Sequence, residues 1–357
     1  MSRTSQKALR ERSEKVDKRI FAVTAACIFM GGCSGGNGYF DEPVSKSDFL
    51  MDTYMTVTVY NGSSSAPEKA LSRAGELEKK WSVTDSSSEI YAADHSGGKP
   101  VTLSEDTADL VSFALSMNEK TDGALDISLY PVLREWGFTT GEYRVPEDSR
   151  ITELLESVGC EKLSLDGRDI TVPDGMSIDL GSVGKGRAGD EMIKTLKENG
   201  VTSAMLDLGG NIQLLGSKPD GSDFRIAVRH PSGEGNLAKV EVSDCAVITS
   251  GGYERFFEQD GNIYWHILDP KTGCPAHSGV VSATVIGKSG TLCDALSTSL
   301  FVMGTERAAD LWRASDDFDY ILVTDDGRAV ITEGIENSFT LYDEFSSMTV
   351  EVVRREK

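Results

Sequence analysis

Only four of the 357 residues are histidine, so any imidazole chemistry rests on very few positions. Cysteine is sparse as well. Six occur in all, and the four beyond residue 33 (Cys160, Cys245, Cys274 and Cys293) show no C-x-x-C pair, which excludes the spacing of a thiolate metal site. Nothing in their spacing pairs them as disulfides either, although export would permit it. Basic residues are outnumbered, with 36 Lys and Arg against 57 Asp and Glu and a formal net charge of −21. That balance argues against nucleic acid, and against an anionic lipid surface, as the main partner. No fixed-period repeat or low-complexity domain is present, which excludes a solenoid or a string of modules. What remains is 39% hydrophobic and 26% charged, an ordinary globular composition long enough for one large domain.

The N-terminus stands apart. Basic residues up to Lys18-Arg19 precede the apolar run Ile20 to Met30, which ends in Met30-Gly31-Gly32-Cys33-Ser34. Eleven residues are too few to span a bilayer, and small residues before a cysteine resemble a lipoprotein signal peptide. The expectation is therefore a signal peptide over 1–32, cleaved to leave a lipidated Cys33 that anchors an exported protein to the membrane. Residues 1–32 carry seven basic and three acidic side chains, so their removal deepens the net charge to −25. A flexible tether is expected over 33–46, a folded body over 47–345 and a C-terminal tail over 346–357.

Within the body, Thr53 to Tyr60 alternates as a strand, and Leu71, Ala74, Leu77 and Trp81 fall on one face of a helix over Glu68 to Trp81. Leu110, Val111, Ala114 and Leu115 mark a second helix, and Ile151, Leu154, Leu155 and Val158 a third that stops at Gly159. Ala188, Met192 and Leu196 mark a fourth, closed by Asn199-Gly200. Short runs from Ala204 to Ile286 read as sheet. Two helices follow, Ala295 to Met303 and Glu306 to Ala314 behind Thr305, and then strands Tyr320 to Val323 and Ala329 to Thr332. The pattern is an α+β body with mixed or antiparallel sheets and flanking helices.

Six segments carry residues suited to chemistry. Ile263 to Ile267 reads as a strand that delivers His266 into the Asp269-Pro270 turn, a place where loops build sites. Ser177 to Arg187 reads as a strand-to-helix turn through three glycines; it matches neither the P-loop nor G-x-G-x-x-G, and Lys185 adds a mobile cation beside a helix N-terminus that favours anions. Asp294 and Thr298 are four apart at a helix start and share one face, a hard-oxygen set suited to Mg²⁺ with help from a carbonyl such as that of Ser182. Helix capping is the alternative for Asp294. Asp126, in Thr121-Asp-Gly-Ala-Leu-Asp-Ile, sits between apolar residues and either bonds backbone or reads a ligand's donors. Gly209-Gly210-Asn211 and Thr249-Ser-Gly-Gly-Tyr-Glu-Arg are two more permissive turns.

Taken in order, Thr121-Asp-Gly-Ala-Leu-Asp-Ile, Asp179-Leu-Gly-Ser-Val-Gly-Lys-Gly, Gly209-Gly210-Asn211, Thr249-Ser-Gly-Gly-Tyr-Glu-Arg, His266-Ile-Leu-Asp-Pro-Lys-Thr-Gly and Asp294-Ala-Leu-Ser-Thr resemble the ApbE family, the FAD:protein FMN transferases. The resemblance implies a T-fold-related α+β body and an exported, Mg²⁺-dependent enzyme. Such an enzyme cleaves FAD, releases AMP and attaches FMN by a phosphoester to Thr or Ser of an acceptor flavoprotein. It further implies that Asp294, Thr298, Ser297 and the Ser182 carbonyl hold the metal and that His266 accepts the acceptor's proton. Lys185 would offset phosphate charge, while Met51, Thr84, Ala124, Leu125, Asp126, Asp179 and Leu268 would contact the FAD. Asp52, Thr84 and Arg187 depart from the residues common at those places. The mature chain has no acceptor motif of its own, so the flavin would end on another protein. A plain FAD pyrophosphatase and a non-catalytic flavin-binding lipoprotein are the rival readings.

Overall fold

Nine strands form one sheet whose neighbours in space are also its neighbours along the chain. They are β1 (Tyr39–Leu50), β2 (Thr53–Asn61), β3 (Ala204–Leu208), β4 (Asn211–Leu215), β5 (Ala246–Gly251), β6 (Val280–Gly287), β7 (Phe318–Thr324), β8 (Arg328–Thr332) and β9 (Thr349–Val353). Every adjacent pair is antiparallel except β8 and β9, which run parallel. The computed structural model describes residues 38–233 and 235–355, so the expected signal peptide and Cys33 lie outside the described residues.

Among the described residues seven helices fill the long insertions: α1 (Ala66–Trp81), α2 (Glu89–Asp94), α3 (Glu105–Lys120), α4 (Tyr130–Glu135), α5 (Asp148–Leu155), α6 (Gly181–Glu198) and α7 (Gly290–Arg313). Strand alternation sorts the sheet's side chains between two cores. Ile248, Val285, Tyr320 and Leu322 face the helices, packing with Leu77 and Trp81 of α1 and Met192 of α6. Val247, Ile286, Ile321 and Val323 face the other way, against a three-stranded sheet of Phe224–Arg229, Asn236–Val242 and Phe339–Leu341. Each fully buried Leu or Ile in these layers contributes about 1.5–3 kcal/mol. A third cluster gathers Val132, Trp136, Phe138 and Leu268.

Most expected elements form, the α7 region as two helices merged across Gly304, whose φ of 77° and ψ of 176° break the helical path. Several expectations need correction. The tether does not extend to residue 46, because Tyr39 to Leu50 pairs with β2 and belongs to the sheet. The tail over 346–357 contains β9, which pairs with β8 and buries Val353. The third helix ends at Leu155 rather than running on to Gly159, which takes a φ of 137°. The glycine-rich segment is no turn: Gly181 onward is already α6, and none of Gly181, Gly184 or Gly186 has a positive φ. All four described cysteines are free thiols.

Candidate active site

The glycines of α6 serve close approach. A Cβ on Gly186 would stand 2.6 Å from the Asp294 Cβ of α7, so only glycine lets the two helices cross this tightly. Two carboxylates lock the crossing. Asp190 of α6 accepts from the N–H groups of Gly290 (2.7 Å) and Thr291 (2.9 Å) and from the Thr291 hydroxyl (2.6 Å), satisfying the exposed donors at the start of α7. In return Asp294 Oδ2 accepts from Gly186 N–H at 2.7 Å. Ser289 is the cap of α7, its hydroxyl accepting from Leu292 N–H, so Asp294 lies inside the helix and the capping alternative falls away.

Asp294 is 5% exposed, and among the described residues no cation approaches it within ion-pair distance. Burial pushes its carboxyl up to about 6; Lys185 and the Gly186 N–H pull it down, while Glu254 and Asp190 push it further up. A buried carboxylate compensated by a single amide is costly unless a cation joins it. Oxygens gather beside it. Ser297 shares a 2.8 Å hydrogen bond with Ser250 of β5, whose hydroxyl also lies 3.4 Å from that of Thr298. The Ser297 hydroxyl also donates to the Asp294 carbonyl at 2.9 Å. In helical geometry the Gly186 N–H points along the axis toward the Ser182 carbonyl, which puts that carbonyl near the same amide. Among the described residues no group of three or more His, Cys, Asp and Glu is arranged for a metal. The donors at hand are hence one carboxylate, hydroxyls and a carbonyl, the hard oxygens that fit Mg²⁺.

His266 follows the strand Asn262–Trp265 at a bend. Its Nδ1 lies 3.2 Å from the Arg255 carbonyl, an oxygen that can only accept, so Nδ1 carries the proton and Nε2 keeps a free lone pair. Burial lowers the imidazole to about 4, the Arg255 and Lys185 charges lower it further, and the bond to the Arg255 carbonyl partly opposes them. The ring is therefore neutral near pH 7 and able to take a proton. Lys185 forms no ion pair among the described residues, yet its charge acts on Asp294, His266 and Glu254 alike.

The remaining expected contacts divide. Asp179, just before α6, accepts from Gly181 N–H at 2.6 Å. Burial raises its carboxyl, opposed by the Gly181 bond and the Arg255 charge and reinforced by Asp52. Its backbone N–H reaches the Ile127 carbonyl at 2.8 Å, joining it to the segment that carries buried Ala124 and Leu125. That segment meets the turn after buried Leu268, where Lys271 pairs with Asp122 at 3.0 Å. Met51 and Asp52 form the β1–β2 turn, both at positive φ, and Asp52 reaches Arg255 at 3.9 Å. Two expected residues stand differently. Asp126 realises the backbone alternative, its Oδ1 accepting from Ser128 N–H (2.8 Å) and the Ser128 hydroxyl (2.6 Å). Thr84 is exposed in the loop after α1, and its hydrogen bonds go to Ser82 alone.

Three contributors were not read from the sequence. Ser250 orients the hydroxyl pair, Asp190 fixes the helix crossing, and Asp94 sits beside Asp179. Burial drives the Asp94 carboxyl up to about 7, opposed by the bond from Ile178 N–H and reinforced by the Asp179 charge. Ser250 lay within a quoted motif, but its partners are 47 and 48 residues away along the chain. No local pattern signals such a contact.

The family model described as the ApbE family matches residues 51–322. The FAD:protein FMN transferase of Treponema pallidum (strain Nichols) is 31% identical over 342 residues, covering 89% of this chain and 94% of that protein. The FAD:protein FMN transferase of Vibrio cholerae is 36% identical over 241 residues, covering 65% of this chain and 72% of that protein. Among solved structures, the ApbE protein of Thermotoga maritima superposes with a TM-score of 0.78 at 30% identity, covering 83% of this chain and 99% of that one. The flavin transferase ApbE of Vibrio cholerae gives 0.73 at 29% identity, covering 86% and 99%. The matched span runs from the Met51 turn to β7 and takes in the α6–α7 crossing and His266, so the chain belongs to the ApbE family.

Proposed function

We propose that this protein is a Mg²⁺-dependent FAD:protein FMN transferase. It would cleave the pyrophosphate of FAD and join FMN through a phosphoester to a Thr or Ser hydroxyl of an acceptor protein. The observation that carries the reading is the buried Asp294 carboxylate, set among the Ser297, Thr298 and Ser250 hydroxyls and left without a partnering cation. The names of the relatives support the same chemistry.

In this reading Asp294, Thr298, Ser297 and the Ser182 carbonyl hold Mg²⁺. Bound there, the ion would neutralise pyrophosphate charge and stabilise the departing AMP. The chain's own groups do the rest. Lys185 supplies a second positive charge in a molecule that is otherwise strongly acidic. His266 Nε2 takes the acceptor's hydroxyl proton as that oxygen attacks the phosphorus on the FMN side. The bond from this phosphorus to the bridging oxygen breaks, and AMP leaves with the electron pair. Asp179, Met51, Ala124, Leu125 and Leu268 line the flavin, with Asp126 shaping that wall through its cap.

The full chain, FAD, Mg²⁺ and a threonine-bearing acceptor protein should yield covalent flavin fluorescence on the acceptor and one equivalent of AMP. AMP without a labelled acceptor would make the protein a pyrophosphatase, and unchanged FAD a flavin carrier. Asp294→Ala should abolish turnover together with its response to Mg²⁺; full activity in that variant would refute the metal assignment.

A further inference from the structure

Seven large hydrophobic side chains stand exposed among the described residues, and they are unevenly placed. Phe256 (47%) and Ile263 (52%) lie on the hairpin of Phe256–Gln259 and Asn262–Trp265, whose base is Arg255 and His266. Phe49 (56%) and Tyr54 (70%) face each other across β1 and β2, three and two residues from Asp52, which contacts Arg255. Tyr143 stacks on Phe257 of the hairpin at 5.3 Å. Four of the seven thus stand on the hairpin that leads into His266 or beside the β1–β2 turn that contacts its base, while Tyr143 lies against Phe257 on the hairpin's other face. Monomeric proteins seldom leave apolar surface gathered in one place unless something covers it.

The hairpin's two faces differ. Cross-strand pairing puts Phe257 and Tyr264 on one face, where they pack with Trp136 and Phe138. Phe256, Glu258, Ile263 and Trp265 share the other face, with Glu258 directly opposite Ile263. Trp265 is anchored inward against Phe301 at 5.9 Å, whereas Phe256 and Ile263 remain uncovered. The two strands pair only with each other, so their outer edges keep backbone donors and acceptors unused by any sheet. Such edges accept an added strand.

We infer that this hairpin is the docking platform for the acceptor polypeptide, which lies along it as an extended segment. Apolar residues beside the acceptor hydroxyl pack on Phe256 and Ile263 while the hydroxyl reaches His266. The inference rests on the transferase reading, in which a polypeptide acceptor has to bring its hydroxyl to His266 from solvent. A dinucleotide alone has no use for an apolar apron there. Backbone pairing along a strand edge would give affinity, and the Phe256–Ile263 face would select the flanking residues.

Two measurements on the full chain test it. A fluorescein-labelled peptide carrying one threonine flanked by alanine and valine should bind without FAD, read by polarisation. Ile263→Ser and Phe256→Ser should each weaken that binding by about tenfold, the loss of one well-packed apolar contact. In turnover, both variants should raise the KM for the acceptor by a similar factor while FAD binding and acceptor-independent AMP release stay within twofold of the parent. Unchanged peptide affinity in both variants would overturn the docking surface. So would a parallel fall in FAD binding, which would mark the two residues as supports of the site. If the parent binds peptide at the hairpin yet never labels it, the transferase reading fails and the surface stands.

Discussion

At the scale of single residues, the site is governed by one carboxyl group and one imidazole whose surroundings push both toward their neutral forms. Burial raises Asp294 to about 6 and lowers His266 to about 4, so near neutral pH the carboxylate is ionised and the ring is not. For Asp294 the folded value lies above the unfolded 3.8, so the metal-free fold binds more protons than the unfolded chain between roughly pH 4 and 6. Its contribution is present below pH 4 and lost as pH rises through 6. In the proposed function Mg²⁺ would reverse that sign, since it would bind only the ionised form. The rise in melting temperature on adding Mg²⁺ should therefore be large at pH 8 and vanish near pH 5. Asp294→Asn should raise the metal-free melting temperature at pH 8 and abolish the Mg²⁺ response at every pH. A response to Mg²⁺ that stays level from pH 5 to 8 would place the ion elsewhere.

Elements set how much of this could be read from sequence. The faces of α1 and α6 were legible because 3.6-residue periodicity is local, and the shared face of Asp294 and Thr298 was legible because their spacing of four sits on one helix. The work of the glycines was not, because a glycine that spares a clash at a helix crossing looks in sequence like one that bends a turn. Asp190 was invisible for the same reason: its partners are some 100 residues further along. The glycines separate these cases experimentally. At Gly184 an added Cβ meets only Trp81 at 3.8 Å, so Gly184→Ala should stabilise by up to ~1 kcal/mol through helix propensity. At Gly186 the Cβ would strike Asp294 at 2.6 Å and the Gly290 carbonyl, so overpacking of about 1–3 kcal/mol exceeds the same propensity gain. Gly186→Ala should lower the urea midpoint and weaken Mg²⁺ binding. Equal midpoints for the two variants would mean the crossing is looser than drawn.

Across the whole molecule, residues far apart in sequence complete one sheet, and that is where the sequence reading stopped short at both ends. Tyr39 to Leu50 and Thr349 to Val353 are partly polar runs whose strand character comes from a partner, β2 in one case and β8 in the other. Both strands lie at sheet edges and are exposed along most of their length, so neither carries the alternation of a half-buried strand. The C-terminal strand does more than extend the sheet. Val353 is buried, Val352 and Met348 pack against the second core, and Arg355 lies 4.4 Å over the ring of Trp312 near the end of α7, the helix that carries Asp294. Deleting residues 346–357 would uncover β8 and remove that cation–π contact. Roughly 25 cal/mol for each Å² of apolar area lost, with about 1 kcal/mol for the ring contact, predicts a fall in unfolding free energy of several kcal/mol. The truncated chain should unfold at clearly lower urea concentration and show greater exposure of Trp312 fluorescence to quencher. If it instead unfolds at the parental midpoint, the segment is a tail after all, and β8 is the true edge of the sheet.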